Sequence, residues 1–475
     1  MKQSISILLL LVSVESLAFD LVVNHGRVMD PASGLADIRH LGVEAGVITT
    51  VSEQPLAVDK RTTVIDASGL VVAPGFIDIH AHGQDPVSNR FQAGDGVTTA
   101  MELEIGVFPV ADWYAGRSGN APLNFGATVS HPWARARAQG FGEDAVLTAG
   151  ANSALTADQH ASMLTALRQG LAEGAIGIGM GIAYTPAADH QEILSVFRLA
   201  AEWQKPVFVH LRNAKFMNND LLAPLQEVLS NAVVTGASLH VVHINSSLDT
   251  AAKTAVSMIR DLQAQGFDIT TENYPYTSGS TRLESALFDE WDQYDRLQWV
   301  ATGEFLTAKT FSEYRRKGGW VIIHGRSIVL NDWLVEQPDL IIASDGIPYV
   351  DNLSHPRSAG TFSKVLGQYV REKQSLTLMQ ALAKMTIMPA RRLEKFAPAL
   401  ARKGRLAVGM DADITIFDPA SVIDRATYTE PGQYSAGIVH VLVNGFAVVS
   451  NGVVMPDRYP GQPVKGIGGK PNEHQ

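Results

Sequence analysis

Ala73-Pro74-Gly75-Phe76-Ile77-Asp78-Ile79-His80-Ala81-His82 opens on turn-forming residues, runs through apolar ones and closes on two histidines. Residues two apart on a strand leave the same face, so both imidazoles can reach one ion. Seven further runs of strand composition follow, at 96–104, 125–131, 176–182, 206–210, 239–245, 268–274 and 340–345. Amphipathic helical stretches, such as 157–173, 191–204, 249–266 and 376–384, lie between them. Eight β units alternating with helices over 74–400 predict an α/β fold, a (β/α)8 TIM-like barrel. A doubly wound open sheet is the runner-up. No Gly-rich phosphate fingerprint follows the first strand and no P-loop occurs, which counts against it.

Barrel enzymes carry their chemistry at the C-terminal ends of strands. The polar residues that end these runs are His80 and His82, Glu102 and Glu104, His131, His210, His243 with Asn245, and Asp345. A single buried histidine is more often a core residue than a ligand. Four of them with Asp345, each closing a strand, are hard to explain as packing. The chain has no cysteine. Disulfides, thiol nucleophiles and thiolate metal sites are therefore excluded. A nitrogen and oxygen donor set favours Zn²⁺, in one or two ions, with Mn²⁺ or Fe²⁺ as alternatives.

The rest of the 475 residues suits a large barrel with an accessory domain. Short strand-like runs broken by turns fill 19–73 and return over 401–455. They predict one small β-sandwich domain built from both chain ends. Residues 282–320, rich in aromatics and charges, read as a partly helical lid, with Thr310-Phe311-Ser312-Glu313 as a capping box. The Pro/Gly-rich tail 456–475 is expected to be poorly ordered. Lys2, the apolar run Ile5–Val12 and Ser16-Leu17-Ala18 form a signal-peptide pattern over 1–18. Export to the periplasm or medium is expected, with no membrane attachment after cleavage. With 38 Lys+Arg against 48 Asp+Glu and no basic run, nucleic acid is a poor partner.

These motifs resemble the amidohydrolase superfamily, whose mark is Pro-Gly-Phe-Ile-Asp-x-His-x-His followed by strand-end His, His and Asp. Within it the chain is similar to the D-aminoacylases (N-acyl-D-amino-acid deacylases). Gly96-Val97-Thr98-Thr99, His210-Leu211-Arg212, His240-Val241-Val242-His243, Asn273-Tyr274-Pro275-Tyr276-Thr277, Ser344-Asp345-Gly346 and His355-Pro356-Arg357 follow in the family's order. The resemblance implies metal-assisted hydrolysis of N-acyl-D-amino acids, small-molecule substrates. His80, His82, Glu104, His210 and His243 would hold metal, with Asp345 as acid–base. Two departures stand out. The family's cysteine ligand near the end of the second strand is replaced by Glu102 and Glu104, of which Glu104 lies nearer the strand end and is expected to bridge. The lysine often found two residues after the fourth histidine is Asn245 here. Arg357, with Tyr274 or Tyr276 and Ser280, is left to hold a substrate carboxylate. Cyclic-amide opening, as in dihydroorotases and hydantoinases, and cleavage of unusual dipeptides are the alternative reactions. An exported binding protein without turnover is the rival of another class. The oligomeric state is left open.

Overall fold

The computed structural model describes residues 19–469. The expected signal segment lies outside them. Eight parallel strands form the barrel in sequence order: Phe76–Asp78, Val97–Val107, Asn124–Ser130, Ile178–Gly181, Pro206–His210, Ser238–Val241, Ile269–Asn273 and Ile341–Ile342. The eighth meets the first through a parallel bridge of Ala81 to Gly346, where the His82 N–H donates to the Gly346 carbonyl at 2.8 Å.

The outer helices dock through the spacing that the sequence shows. The helix Ala157–Ala172 starts where the Thr156 hydroxyl accepts the Gln159 N–H and Gln159 accepts the Thr156 N–H in return. Met163, Leu167 and Leu171, four apart, form its buried stripe. Gly170 lies so close to the third strand that a Cβ would sit 2.4 Å from Val129. The helix His190–Glu202, capped by Asp189, buries Ile193, Val196, Phe197 and Ala200 in the same way.

Strands from both chain ends form a second sheet of nine. Leu21–Asp30, Leu35–Glu44, Val47–Ser52, Thr63–Asp66 and Val71–Pro74 come from the first part. Ile414–Phe417, Ile438–Val443, Phe446–Ser450 and Val453–Val454 come from the last. The two sets are joined where Val71–Pro74 pairs antiparallel with Ile414–Phe417. The sheet also rolls back on itself: Val47 bridges to Asp411, and Ile48 donates its N–H to the Met410 carbonyl at 2.9 Å. Alternation decides what each face covers. Val72, Ile414, Ile416 and Leu442 point into the domain's own core, whereas Val71, Ala73, Phe417, Val441 and Val443 pack with barrel residues Phe76, Val97 and Phe362. The β domain therefore shares a core with the barrel.

Two expectations are corrected. The segment read as a partly helical lid also contains a three-stranded antiparallel sheet, Gly279–Arg282, Leu297–Trp299 and Trp320–Ile323, around its own core of Leu283, Phe288, Trp299 and Phe311. Its helix, Ala308–Lys317, is capped by Thr307, one turn earlier than the expected box; Thr310 sits at the third helical position and its hydroxyl accepts the Thr307 N–H at 2.9 Å. The tail, expected to be poorly ordered, is fixed to the barrel as far as it is described. Pro463 bridges to Phe125, the Val464 N–H donates to the Phe125 carbonyl at 2.7 Å, and the Tyr114 hydroxyl donates to the Val464 carbonyl at 2.8 Å. Its Pro and Gly residues let the backbone lie against the strand starts: a Cβ on Gly461 would sit 1.9 Å from the Leu123 carbonyl oxygen. Among the described residues no helix is long and apolar enough to cross a membrane.

Val464 is fully buried where the tail meets the barrel. Val464→Asp should destabilise the protein by at least about 2 kcal/mol, since it buries a charge without a partner. Denaturant unfolding reads this directly, and an unshifted midpoint would mean the tail adds nothing.

Candidate metal and active site

Glu104, on the second strand, is almost wholly buried and holds the middle of the site. Its Oε2 lies 3.1 Å from both His80 Nε2 and His82 Nε2. Its Oε1 lies 2.5 Å from His210 Nδ1 and 3.0 Å from His243 Nε2. One carboxylate thus spans two histidine pairs. Asp345 stands beside the first pair, with Oδ1 at 3.5 Å from His80 Nε2 and 3.4 Å from His82 Nε2. His80, His82, Glu104 and Asp345 form one set with metal-ligand spacing, and Glu104, His210 and His243 form the second.

On His80, His82 and His243 the ring nitrogen facing away from this point is held by the protein. His80 Nδ1 is 2.5 Å from Glu272 and His82 Nδ1 is 2.7 Å from Glu102. His243 Nδ1 is 3.1 Å from the Ser247 hydroxyl. Ionised carboxylates only accept, so the protons of His80 and His82 sit on Nδ1. In the neutral imidazoles that bind metal, the two Nε2 atoms, 3.3 Å apart, turn lone pairs toward each other and toward two carboxylate oxygens. Such a set is repulsive without a cation and is what a divalent metal takes up. The electrostatics agree. Burial opposes charge on His80, yet Asp345, Glu272 and Glu104 together hold its imidazole well above the ordinary range. The place calls for positive charge.

Two of these residues reach the site through a strained backbone. His243 has φ 29° and Asp345 has φ 52°, in the region that side chains other than glycine rarely adopt. The neighbouring Asp78 locks the barrel seam: it accepts the Ser344 N–H at 3.0 Å, the Ser344 hydroxyl, and the His80 N–H at 3.2 Å. Burial pushes its carboxyl up to about 6. Strands one and eight, which carry His80, His82 and Asp345, are thereby fixed to each other.

Of the other expected residues, Tyr274 and Ser280 line the cavity of about 300 Å³ that opens onto Glu104 and Asp345. Tyr276 does not: its hydroxyl donates to Asp424 at 3.0 Å, facing a different recess. Asn245 is buried and donates to the Tyr274 carbonyl at 3.1 Å and to Asn331 at 3.0 Å, bracing the loop behind the wall. Arg357 is 0% exposed. Its Nη2 lies 2.9 Å from Asp345 Oδ1, and its guanidinium stacks 4.6 Å over the Tyr274 ring, while Nε and Nη1 have no protein acceptor. Burial would raise the Asp345 pKa, but Arg357 foremost, then His80, holds it well below the usual carboxylate range. His131 stands apart, bonded at 2.8 Å to Glu192 in a buried pair with Arg135.

Sequence reasoning passed over Glu272, a charged residue within the seventh strand that binds His80 on one oxygen and His240, at 3.1 Å, on the other. Its place in an otherwise apolar and hydroxyl-bearing run was the available signal. Tyr184, whose ring lies edge-on 4.8 Å from His210, was also missed.

The profile described as "Amidohydrolase family" matches residues 63–449. The chain belongs to the amidohydrolase family. N-acyl-D-glutamate deacylase of Alcaligenes xylosoxydans xylosoxydans is 30% identical, over 93% of this chain and 96% of that protein. D-aminoacylase of the same organism is 28% identical, over 91% and 95%. Among solved structures, N-acyl-D-glutamate deacylase from Bordetella bronchiseptica, complexed with zinc and a phosphonate mimic of the tetrahedral intermediate, superposes with TM-score 0.80. It is 28% identical and the match covers 94% of this chain and 100% of that one. This amidohydrolase is a metal-dependent amide hydrolase.

Glu272→Gln leaves a single carbonyl oxygen where two carboxylate oxygens now orient His80 and His240. Metal affinity should fall about 10- to 100-fold, as read by competition with a chelator. Unchanged affinity would mean that the Glu272 carboxylate does not support the metal site.

Proposed function

We propose that this amidohydrolase is an N-acyl-D-amino-acid deacylase that holds its metal with His80, His82, Glu104, His210 and His243. The observation that carries the reading is the Glu104 carboxylate shared between two histidine pairs, with an ionised Asp345 beside them at the floor of a cavity. The deacylase relatives, matched over nearly their whole length, support the bond and the D configuration. Zinc is the metal proposed, by the donor chemistry and by the zinc in the Bordetella relative. Such a metal supplies Lewis-acid activation of water and of the amide carbonyl.

The chain's own residues account for the proton. Asp345 takes it from the attacking water as oxygen adds to the acyl carbon. It returns the proton to nitrogen as the C–N bond breaks, releasing a carboxylic acid and the free D-amino acid. Arg357, at 2.9 Å, keeps Asp345 ionised for the first of these transfers and acts as a positioning residue. Tyr184 and Tyr274 wall the space in which the acyl and amino-acid portions lie.

The protein is further proposed to act after export, on the strength of the pattern at residues 1–18. N-terminal sequencing of the exported protein should begin at Phe19, and a chain that keeps Met1 would refute cleavage.

Amine release from matched N-acetyl-D- and N-acetyl-L-amino acids, with the zinc-loaded protein, should be confined to the D series. Turnover of neither would reject the deacylase reading. Asp345→Asn should lower kcat about 10²- to 10⁴-fold with the metal content kept. Near-full turnover in that variant would remove Asp345 from the proton path.

A further inference from the structure

We propose that the recess behind Tyr276 is a second binding site, for a free α-amino acid, and that its occupancy acts on the ion pair of Arg357 and Asp345. The recess is a feature of the fold alone; naming its ligand as the product of the reaction rests on the deacylase reading.

Tyr276 shares a motif with Tyr274 but does not face the metal cavity. It borders a separate recess of about 370 Å³, room enough for a small molecule. The walls come from Pro275, Tyr276 and Thr277, from the helices Ile328–Glu336 and Arg357–Lys364, and from residues 424–428. The second of these helices runs on as a π-helix over Val365–Glu372, which places Gln368 on the wall. A π-helix is rare beyond a single turn and is frequent at functional sites.

The recess carries both signs of charge. Lys364 and Asp424 stand 3.5 Å apart, a loose ion pair, with side chains only 22% and 13% exposed. Water therefore screens them less than it screens surface ions. Lys364 Nζ also lies 4.6 Å over the Tyr276 ring, whose hydroxyl donates to Asp424. Asp332 is already taken, by Lys373 at 2.6 Å and by the Tyr369 hydroxyl at 2.7 Å. A free α-amino acid is a short dipole, with its ammonium and carboxylate on one carbon. Laid antiparallel to the loose pair, it offers its carboxylate to Lys364 and its ammonium to Asp424. An N-acyl amino acid cannot do this, because its amide nitrogen is uncharged. The recess thus distinguishes product from substrate.

Its walls are also the supports of Arg357. That residue begins the helix that Lys364 ends. Its guanidinium stacks on Tyr274, two residues before Tyr276. An added Cβ on Gly360, within the same helix, would lie 2.6 Å from Asp424 Cβ and 2.8 Å from Tyr276 Oη. Helix, carboxylate and phenol are packed too closely to shift independently. A ligand that draws on Lys364 and Asp424 therefore pulls on the contact that keeps Asp345 ionised, and turnover falls.

The probe is D-leucine, titrated by calorimetry into the zinc-loaded full chain. 4-Methylpentanoate and 3-methylbutylamine, each lacking one of its charges, are the controls. Two sites are expected, one at the catalytic centre and one in the recess, and the second should take neither control. Lys364→Met and Asp424→Asn should each weaken the second site about tenfold or more, the weight of one charge-assisted hydrogen bond. Without D-leucine, both variants should turn over N-acetyl-D-leucine as the unaltered protein does. Added D-leucine should lower kcat about fivefold, the small end of ordinary coupling between sites, and leave kcat unchanged in either variant. Inhibition that excess substrate relieves in full, alike in all three proteins, would put D-leucine at the catalytic centre alone and overturn the proposal. So would 4-methylpentanoate binding the recess as tightly as D-leucine, which would make it a plain anion site. If D-leucine binds through Lys364 and Asp424 to a chain that hydrolyses no N-acyl amino acid, the recess stands and the deacylase reading falls. Hydrolysis with a single D-leucine site that ignores both substitutions would do the reverse.

Discussion

A carboxylate taken out of water at the centre of a barrel must be compensated there, and the site is organised around that demand. Glu104 is 2% exposed, and an unpaired ion so placed would destabilise the fold by several kcal/mol. Its four imidazole partners come from the first, fifth and sixth strands, so compensation is possible only when those strand ends converge. The imidazoles in turn need acceptors behind them, which Glu272, Glu102 and Ser247 supply. The Asp78 bridge to Ser344 closes the circle by tying the first strand to the eighth. Barrel closure and metal-site geometry are consequently one problem for this chain, solved by the same buried polar residues.

Much of this was legible beforehand because period-two alternation and strand-end polarity are local signals. His80, His82, His210, His243 and Asp345 all end apolar runs, and the structure gathers them at one point. Local signals fail where direction is decided by remote contacts. Glu102 and Glu104 share a face of one strand, and alternation cannot choose between them. Glu104 reaches the centre, while Glu102 turns to His82 Nδ1. Tyr274 and Tyr276 are likewise two apart within one motif, yet Asp424, distant in sequence, draws Tyr276 away. Motif identity likewise could not reveal that Arg357 lies behind Asp345 instead of on the cavity wall. The tail was misjudged because Pro and Gly were read as disorder, whereas here they permit close backbone approach to the barrel.

Function is divided between two structural layers. The barrel strands carry the histidines and carboxylates of the site, held by buried hydrogen bonds. The insertion has its own small core and contributes Arg282, Arg296, Trp320 and Arg326 to the cavity wall. Substitutions in the insertion can therefore reshape what the cavity accepts without disturbing the strained backbone at His243 and Asp345.

The β domain adds a constraint on the order in which the molecule can be made. Val71–Pro74 lies in the interior of the nine-stranded sheet, yet one of its neighbours, Ile414–Phe417, is synthesised only after the entire barrel. Until then the early strands present an open edge and an uncovered apolar face. A chain that stops short of that point is left with this edge exposed, a feature that promotes aggregation and marks the product as incomplete. The sheet shared by the two chain ends thus acts as a seal on the finished polypeptide: it closes only when the last strands have arrived.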